Sequence, residues 1–586
     1  MMGKSGLVLV CLMFALLPLL AQPSDSVRWK GSVQMNGASH LPQAGDASLE
    51  TRLERVTPRY TLSAGLSGTW NARLTSREIS YSSENMRYGF TESSESKNKG
   101  GSESTDIQLL YRPRKGDRVS LSLQQTYSAS DQNNVASAQK FGVSEGVVQL
   151  LSEGSNISSE EKEQRRYRMQ ASYLHEWDSS GRSIMGGMSL QNSINGQTSI
   201  RRLEGSLYTP KTYRITPLYE QQEFVWNFQY KDAHFLEVES LRFTAGTDFR
   251  WEMNDDQYGG ATLVNAEWRD SLLLKQKYLY RSGKVEPYAA AEYRIGKWEM
   301  KGEERIHYFN HKLWSNLRGW DWNKGSVGHT ADYSFRYRPS DKHNLQCDIS
   351  RQLSRPDYLK LTGLLRFGSS QGVYYLGNAD LQPTRGTIFS LSYTLKSAPW
   401  EVQLKTGCQF RKNVAEQVLV TDTAFFPEQL RGRLADAVVY SWRNTAYKRN
   451  YHLRMHGRWK RSGYSVYAWG QLNWDVSEYG SASPSSDRNY TLGVEFSKTF
   501  KGGWELSARN TYNSAKREVY TKFNEYLSSH LRLSRQSGAW SYYAELRELF
   551  DKRMERTTYS ADFSDWRTEN TLYYRRMVAL GLRYAF

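Results

Sequence analysis

The sequence predicts an all-β protein: a single transmembrane antiparallel β-barrel of about 22 strands, with short turns at one end and long loops at the other. Three observations carry this expectation. Apolar and polar residues alternate with a period of two along one segment after another, as in strands with one greasy and one mixed face. Short turn-like connections alternate along the chain with long polar stretches. The composition is polar on average yet holds 39 Tyr and 18 Trp, and beyond the leader no apolar run approaches the twenty residues of a membrane helix. A barrel puts only every second residue against lipid and gathers its aromatics at two interfaces, which reconciles these features.

In chain order, Lys4 precedes fourteen mostly apolar residues at 7–20, followed by Ala21-Gln22. This fits a secretory h-region with cleavage near Ala21, so 1–21 is a signal peptide and 22–586 is the barrel. Cys11 lies inside the h-region. The first strand is expected at 27–37, where Val27, Trp29, Gly31, Val33 and Met35 form one face. The second spans 58–70, with Tyr60, Leu62, Ala64, Leu66 and Trp70. A weakly alternating strand at 73–82 follows a turn near Asn71.

From there the chain falls into hairpins. Ile107, Leu109 and Tyr111 lead into Pro113-Arg114-Lys115-Gly116-Asp117, and Val119, Leu121 and Leu123 lead out. Pro, Gly and Asp are what tight turns demand. The design recurs at 178–181, 231–234, 296–297, 339–343, 397–399, 461–463, 501–503 and 536–538. Long polar stretches at 83–104, 130–164, 194–218, 253–282, 354–385 and 550–574 read as loops. In a transmembrane barrel the short turns are periplasmic and the long loops extracellular. Nine hairpins, the strands at 27–37, 58–70 and 73–82, and a closing strand make twenty-two. A β-sandwich array or propeller would show internal repeats, and the sequence has none.

The closing strand is 577–586, with Val578, Leu580, Leu582, Tyr584 and Phe586 on one face. It is expected to pair antiparallel with 27–37 and seal the barrel. Gly581, Tyr584 and the terminal Phe586 are similar to the signal by which bacterial outer-membrane barrels are inserted. That similarity implies the outer membrane of a Gram-negative bacterium, the barrel-assembly machinery as a partner, and surrounding lipid and lipopolysaccharide. Cys347 and Cys408 alternate with apolar residues and are expected to face lipid as free thiols.

The chain carries 78 Lys+Arg against 61 Asp+Glu, a net charge of +17, but its basic residues are spread along strands, which argues against a nucleic-acid partner. One strand concentrates them. At 451–460, Tyr451, Leu453, Met455 and Trp459 form the apolar face, and His452, Arg454, His456, Arg458 and Lys460 form the other, lumenal one. Such a basic track suits an anionic solute or an acidic partner, unless acids such as Asp475 pair with it across strands. His452 and His456 lie roughly 13 Å apart on a strand and cannot share a metal. Asn254-Asp255-Asp256 reads as a solvated outer loop rather than a calcium site. With no hydrolase constellation, phosphate loop or zinc spacing, neither an enzyme nor a cofactor is expected.

Two motifs at 350–383 carry a resemblance. Ser350-Arg351-Gln352-Leu353-Ser354-Arg355-Pro356-Asp357-Tyr358 resembles the S-R-x-x-x-R-P-x-Y stretch of barrels in TonB-dependent receptors, closest to the Bacteroidetes outer-membrane β-barrel family. Gly377-Asn378-Ala379-Asp380-Leu381-Gln382-Pro383 is similar to that family's G-N-P-x-L-x-P, with Ala379 in place of Pro. Glu548-Leu549-Phe550-Asp551-Lys552 is similar to its N-L-F-D segment. The resemblance implies a receptor barrel for energised uptake, with a plug domain ahead of it. The sequence departs on the last point, leaving about five residues between the expected cleavage and the first strand, and hence no separate plug domain. The expected function is therefore receptor- or porin-like passage of a solute or macromolecule. A lipoprotein or periplasmic partner, with inward-folded 130–164 and 354–385, would occlude the lumen. The alternative is a non-transport scaffold in an assembly, secretion or surface-protein complex.

Overall fold

In a computed structural model, the chain forms one antiparallel sheet closed on itself. Residues 28–585 are described, apart from 41–43, 84–87, 145–146, 178–180, 206–210, 239, 271–274, 317–320, 362–364, 368–372, 421–437, 480–481, 518–520, 550–551, 560–564 and 574–576. The expected signal peptide lies outside the described residues.

The strands are β1 (Arg28–His40), β2 (Ala44–Val56), β3 (Tyr60–Ser83), β4 (Tyr88–Tyr111), β5 (Asp117–Ser144), β6 (Val147–Trp177), β7 (Arg182–Gly205), β8 (Lys211–Asp232) and β9 (Leu241–Val264). Then come β10 (Glu267–Asp270), β11 (Gln276–Ile295), β12 (Trp298–Ser315), β13 (Asp321–Ser340), β14 (His343–Ser354), β15 (Leu365–Phe367), β16 (Val373–Leu376), β17 (Thr384–Ser397), β18 (Trp400–Val420) and β19 (Val438–Arg461). The rest are β20 (Tyr464–Tyr479), β21 (Ala482–Thr499), β22 (Trp504–Asn513), β23 (Lys516–Arg517), β24 (Thr521–Phe523), β25 (Tyr526–Ser537), β26 (Trp540–Arg547), β27 (Lys552–Tyr559), β28 (Asp565–Tyr573) and β29 (Met577–Ala585). Seven short ones (β10, β15, β16, β23, β24, β27 and β28) lie outside the ring, and the other twenty-two close it. The seam is β29 against β1, antiparallel from Ser32↔Ala585 to His40↔Met577.

The count agrees with the sequence, but two of its elements do not. Residues 60–83 form one strand, so there is no turn at Asn71 and no separate strand at 73–82. The missing strand is β2, which pairs with both β1 and β3. The tight turn sits instead at Thr57, whose hydroxyl accepts the Tyr60 N–H at 3.0 Å. Both errors have one cause, weak alternation: β2 has Ala47, Leu49 and Leu53 on one face but Thr51 and Arg55 among them, and in 72–83 the apolar Leu74, Ile79 and Tyr81 fall on different registers.

Polar stretches at 83–104, 130–164, 194–218 and 253–282 are mostly strand as well. About 9–11 tilted residues cross a bilayer, whereas β5 and β6 have 28 and 31. More than half of that hairpin rises beyond the membrane as regular ladder, so 130–164 does not fold into the lumen as expected. Asn254, Asp255 and Asp256 belong to β9 rather than to a loop. Asp255 is within 3.5 Å of Lys277, while Asn254 and Asp256 are buried on the other face.

The two faces of the wall separate cleanly. On β12, Trp298, Met300, Ile306, Tyr308 and Trp314 point outward and are 39–53 % exposed, while Glu299, His307, Phe309, His311 and Leu313 between them are 1–9 % exposed. The outward face is the lipid face. A polar cluster interrupts it where Glu304 accepts hydrogen bonds from His329 and Tyr333, pairing its charge in place. Near the short turns, outward rings form a girdle that includes Trp298–Tyr337 at 4.4 Å, Trp400–Trp459 at 6.4 Å and Trp540–Tyr584 at 4.6 Å between centroids. Cys347 and Cys408 are free and share this outward register, opposite Leu391 and Phe389 of β17.

Part of 354–385 does fold onto the inner wall. Asp357 caps helix α1 (Tyr358–Leu361) by accepting the Leu359 N–H at 3.0 Å. Arg355 lies 2.9 Å from the Phe309 ring centroid, and Tyr358 stacks on Tyr280 at 5.6 Å. Beneath them Ile215, Tyr258, Tyr278, Tyr280 and Leu313 make a buried cluster above the membrane band. Burial pushes the Tyr358 phenol up and lowers the Arg355 guanidinium to about 10, which leaves it charged.

Candidate functional site

Alternation along β19 places His452, Arg454, His456, Arg458 and Lys460 inward, because Leu453 and Met455 between them are 42 % and 55 % exposed on the outer face. Register adds neighbours that no one-dimensional reading supplies. Lys405 of β18 stands directly opposite Arg454, and Tyr467 and Trp469 of β20 stand opposite Arg458 and His456. Like charges directly opposed on one face repel.

The strip is organised by its aromatic rings. The Tyr467 hydroxyl lies 2.6 Å from His456 Nδ1, and the Arg458 guanidinium is 5.7 Å from the Tyr467 centroid. Tyr467 stacks on Trp469 at 5.2 Å, and Arg509 of β22 lies 4.8 Å from the Trp469 centroid. Gly493 leaves room for Trp469 to lie flat, since a Cβ there would overlap the indole. Rings and guanidinium groups are thereby held against the wall rather than left swinging in the lumen.

Among the described residues, no carboxylate lies within 4.0 Å of Lys405, Arg454, Arg458, Lys460 or Arg509. Asp475, the acid that sequence singles out as a pairing partner, instead accepts from Asn450 at 2.8 Å and Asn489 at 3.2 Å. The wall from β9 to β14 is different. There Lys301 bridges Glu292 and Glu299 at 3.2 and 3.0 Å, Arg294 meets Glu292 at 2.6 Å, and Arg305 meets Asp248 at 2.6 Å. One sector is knit by close ion pairs; in the other Glu401 and Glu495 stand opposite Arg458 and Arg509 in register without coming within ion-pair distance, and Lys405 and Arg454 have no acid opposite them.

A second basic element escapes sequence reading. Arg166 and Arg168 of β6 point inward, since Met169 and Tyr167 beside them are exposed outward at 53 % and 43 %. β6 and β19 stand ten strands apart in the ring of twenty-two, so the two basic strips nearly face each other across the lumen. The signal in the sequence is the three arginines of Arg165-Arg166-Tyr167-Arg168, in a stretch bordering the expected loop at 130–164. His452 and His456 do not converge on a common ligand, and the described residues hold no His/Cys/Asp/Glu group able to bind a metal.

At the seam, Gly581 faces inward under the Tyr543 ring, and Tyr584 faces outward against Trp540. Phe586 lies outside the described residues.

The motifs that carry the family resemblance have a structural task. The Asn378 amide donates to the Trp442 carbonyl at 2.9 Å, and the Gln382 N–H donates to Asn444 Oδ1 at 2.8 Å. Asn444 returns a hydrogen bond to the Gln382 carbonyl at 3.2 Å and gives one to the Asn413 carbonyl at 2.7 Å. Residues 377–383 thus clasp the connection between β14 and β17 onto the upper part of β19, above the basic strip.

Comparison with known proteins agrees with this architecture. The outer membrane protein beta-barrel family matches residues 218–584, more than half of the chain and well upstream of the motifs. No curated protein is significantly similar in sequence. Among solved structures, the copper transporter OprC superposes with a TM-score of 0.63 at 9 % identity, over 97 % of this chain and 81 % of that one. The ferric yersiniabactin uptake receptor FyuA of Yersinia pestis gives 0.60 at 10 % identity, with the same coverages of 97 % and 81 %. The ferric enterobactin receptor PfeA of Pseudomonas aeruginosa gives 0.55 at 13 % identity, again over 97 % and 81 %. At such identities the likeness establishes the fold. The chain belongs to the outer membrane protein beta-barrel family, with a 22-strand barrel of the TonB-dependent receptor type in the outer membrane of a Gram-negative bacterium.

Proposed function

We propose that the barrel is a receptor- or porin-like passage for anionic solutes, its lumen occluded by a separate acidic-faced partner, a lipoprotein or a periplasmic protein. The observation that carries the reading is the pair of basic strips facing each other without close ion pairs among the described residues, with Lys405 and Arg454 directly opposed. A wall meant only to be wet and stable gains nothing from such opposition, whereas an anion or an acidic surface between the strips relieves it. A barrel of this width cannot be filled by its own side chains, and among the described residues helix α1 with 377–383 covers part of the mouth, from β8 to β19. In this reading the chain catalyses no reaction. Gly581, Tyr584 and Phe586 serve as the signal read by the barrel-assembly machinery.

The test is gentle purification followed by reconstitution in planar bilayers. The isolated barrel should show anion-selective conductance only after an acidic co-purifying protein is removed, and Arg454→Gln with Arg458→Gln should shift the reversal potential toward zero. A lone protein with a steady, unselective conductance in both forms ends the proposal. The scaffold reading is favoured by one feature, the hairpin of β5 and β6 rising far beyond the membrane. It is preferred if a surface protein is retained on that hairpin while conductance stays absent.

A further inference from the structure

The outer face of the barrel carries a feature that the lumen does not explain. At the upper edge of the lipid band, four strands hold a chain of ring contacts. Phe389 meets Phe410 at 6.5 Å, Phe410 meets Tyr451 at 6.2 Å, and Tyr451 meets Trp474 at 5.4 Å between centroids. Phe410 stands ten residues up β18 from Trp400 of the lower girdle, the length that crosses a bilayer when tilted. The ladder therefore marks the outer-leaflet interface.

Cations sit immediately above it and share its outward register. Lys412 is two residues beyond Phe410, Arg449 is two residues beyond Tyr451, and Arg488 pairs in register with Trp474. Arg385 stands directly opposite Lys412 across β17 and β18. The Arg488 guanidinium lies 5.6 Å from the Trp474 centroid. Arg449 shares Glu478 at 3.3 Å. Arg385, Lys412 and Arg488 are exposed, and among the described residues no carboxylate lies within ion-pair distance of them.

Directly opposed residues on one face are separated by about 5 Å, so Arg385 and Lys412 oppose each other as like charges at the edge of a low-dielectric layer. That arrangement is relieved by an anion placed between them. The available anion at this depth is a lipid phosphate, whose acyl chains would lie along the ladder of rings below. Guanidinium groups match phosphate oxygens in a bidentate fork, and the ammonium adds a point charge. We propose that Arg385 and Lys412 on one side, and Arg449 with Arg488 on the other, bind the two phosphates of a phosphorylated outer-leaflet glycolipid, the lipid A part of lipopolysaccharide, with Phe410, Tyr451 and Trp474 packing its chains.

The experiment uses the full chain purified in detergent and stripped of lipopolysaccharide. It is titrated with bisphosphorylated lipid A, with dephosphorylated lipid A and with inorganic phosphate, and binding is read by native mass spectrometry. The phosphorylated lipid should bind one to one. Arg385→Gln combined with Lys412→Gln should weaken it at least about tenfold, a loss of about 1.4 kcal/mol. Arg488→Gln should weaken it less, and Lys498→Gln, at the opposite edge beside Tyr464, should not change it. Arg385, Lys412 and Arg488 are exposed and Lys498 is half-buried, and heat-modifiable migration on gels confirms that each variant is folded. Equal binding by the wild type and the double variant, or by the phosphate-free lipid, overturns the proposal. So does displacement of the lipid by an equal concentration of inorganic phosphate, which would make the site one for free anions.

Discussion

At the scale of single residues, the closing strand depends on a glycine for its packing as well as for its signal. Gly581 faces inward, and a Cβ there would overlap the Tyr543 ring, so the ring lies flat on the wall only because the side chain is absent. Gly581→Ala should cost about 1–3 kcal/mol as an overpacking change. The loss should appear as a lower temperature of the heat-modifiable gel shift and be partly recovered by Tyr543→Ala. A second residue-scale consequence concerns His311. Burial, with Arg355 and then Lys324 nearby, lowers its pKa from the usual 6.5 to about 4. A group whose pKa is depressed when docked takes up its proton first in the undocked state. The docked segment around α1 should therefore be fully held above pH 6.5 and loosen progressively as pH falls toward 4. Trypsin cleavage after Lys360, compared at pH 7.5 with a pre-incubation at pH 4.5, reports this. Equal cleavage under both conditions would remove His311 from the account.

At the scale of elements, the two faces of one strand respond oppositely to the same kind of change. Leu453→Arg places a cation against lipid and should cost about 2–4 kcal/mol near the midplane, with loss of folded barrel from the membrane fraction. Arg454→Gln, one residue away on the lumenal face, should leave folding intact and change only selectivity. The clasp is likewise an element-scale device. Asn444→Ala removes its hydrogen bonds to Gln382 and Asn413 together. At about 1 kcal/mol net per bond, this should expose 355–383 to protease without altering heat stability of the ring. Turn chemistry was legible at clusters of Pro, Gly and Asp such as 113–117, which must stand where the chain reverses, but not at Thr57, the reversal being expected near Asn71 instead. Strand extensions were not legible. Above the membrane both faces of β4–β7 meet water, so nothing in Ser130-Asp131-Gln132-Asn133-Asn134 distinguishes ladder from loop, although the backbone pairs there without interruption.

At the scale of the whole molecule, the alternation of apolar and polar residues by itself determined the fold class, the inward or outward sense of β19, and the antiparallel seam between the chain's two ends. The reason is that lipid strongly favours one pattern: outward residues apolar within a band unless their polar groups are paired in place, and every backbone group paired in a closed ring. Tertiary structure decided what meets what across strands. It placed Lys405 opposite Arg454, brought Arg166 and Arg168 to the far side of the same lumen, paired the acids of β9–β14 with their own cations, and gave Asp475 to two asparagines. It also set β2 between β1 and β3, where a strand of weak alternation is held by its neighbours' hydrogen bonds. Strand register relates residues hundreds of positions apart, and no local pattern records it. Within the membrane band the sequence thus specified which way the side chains of strands such as β19 point, and the closed sheet alone specified the charges among which they stand.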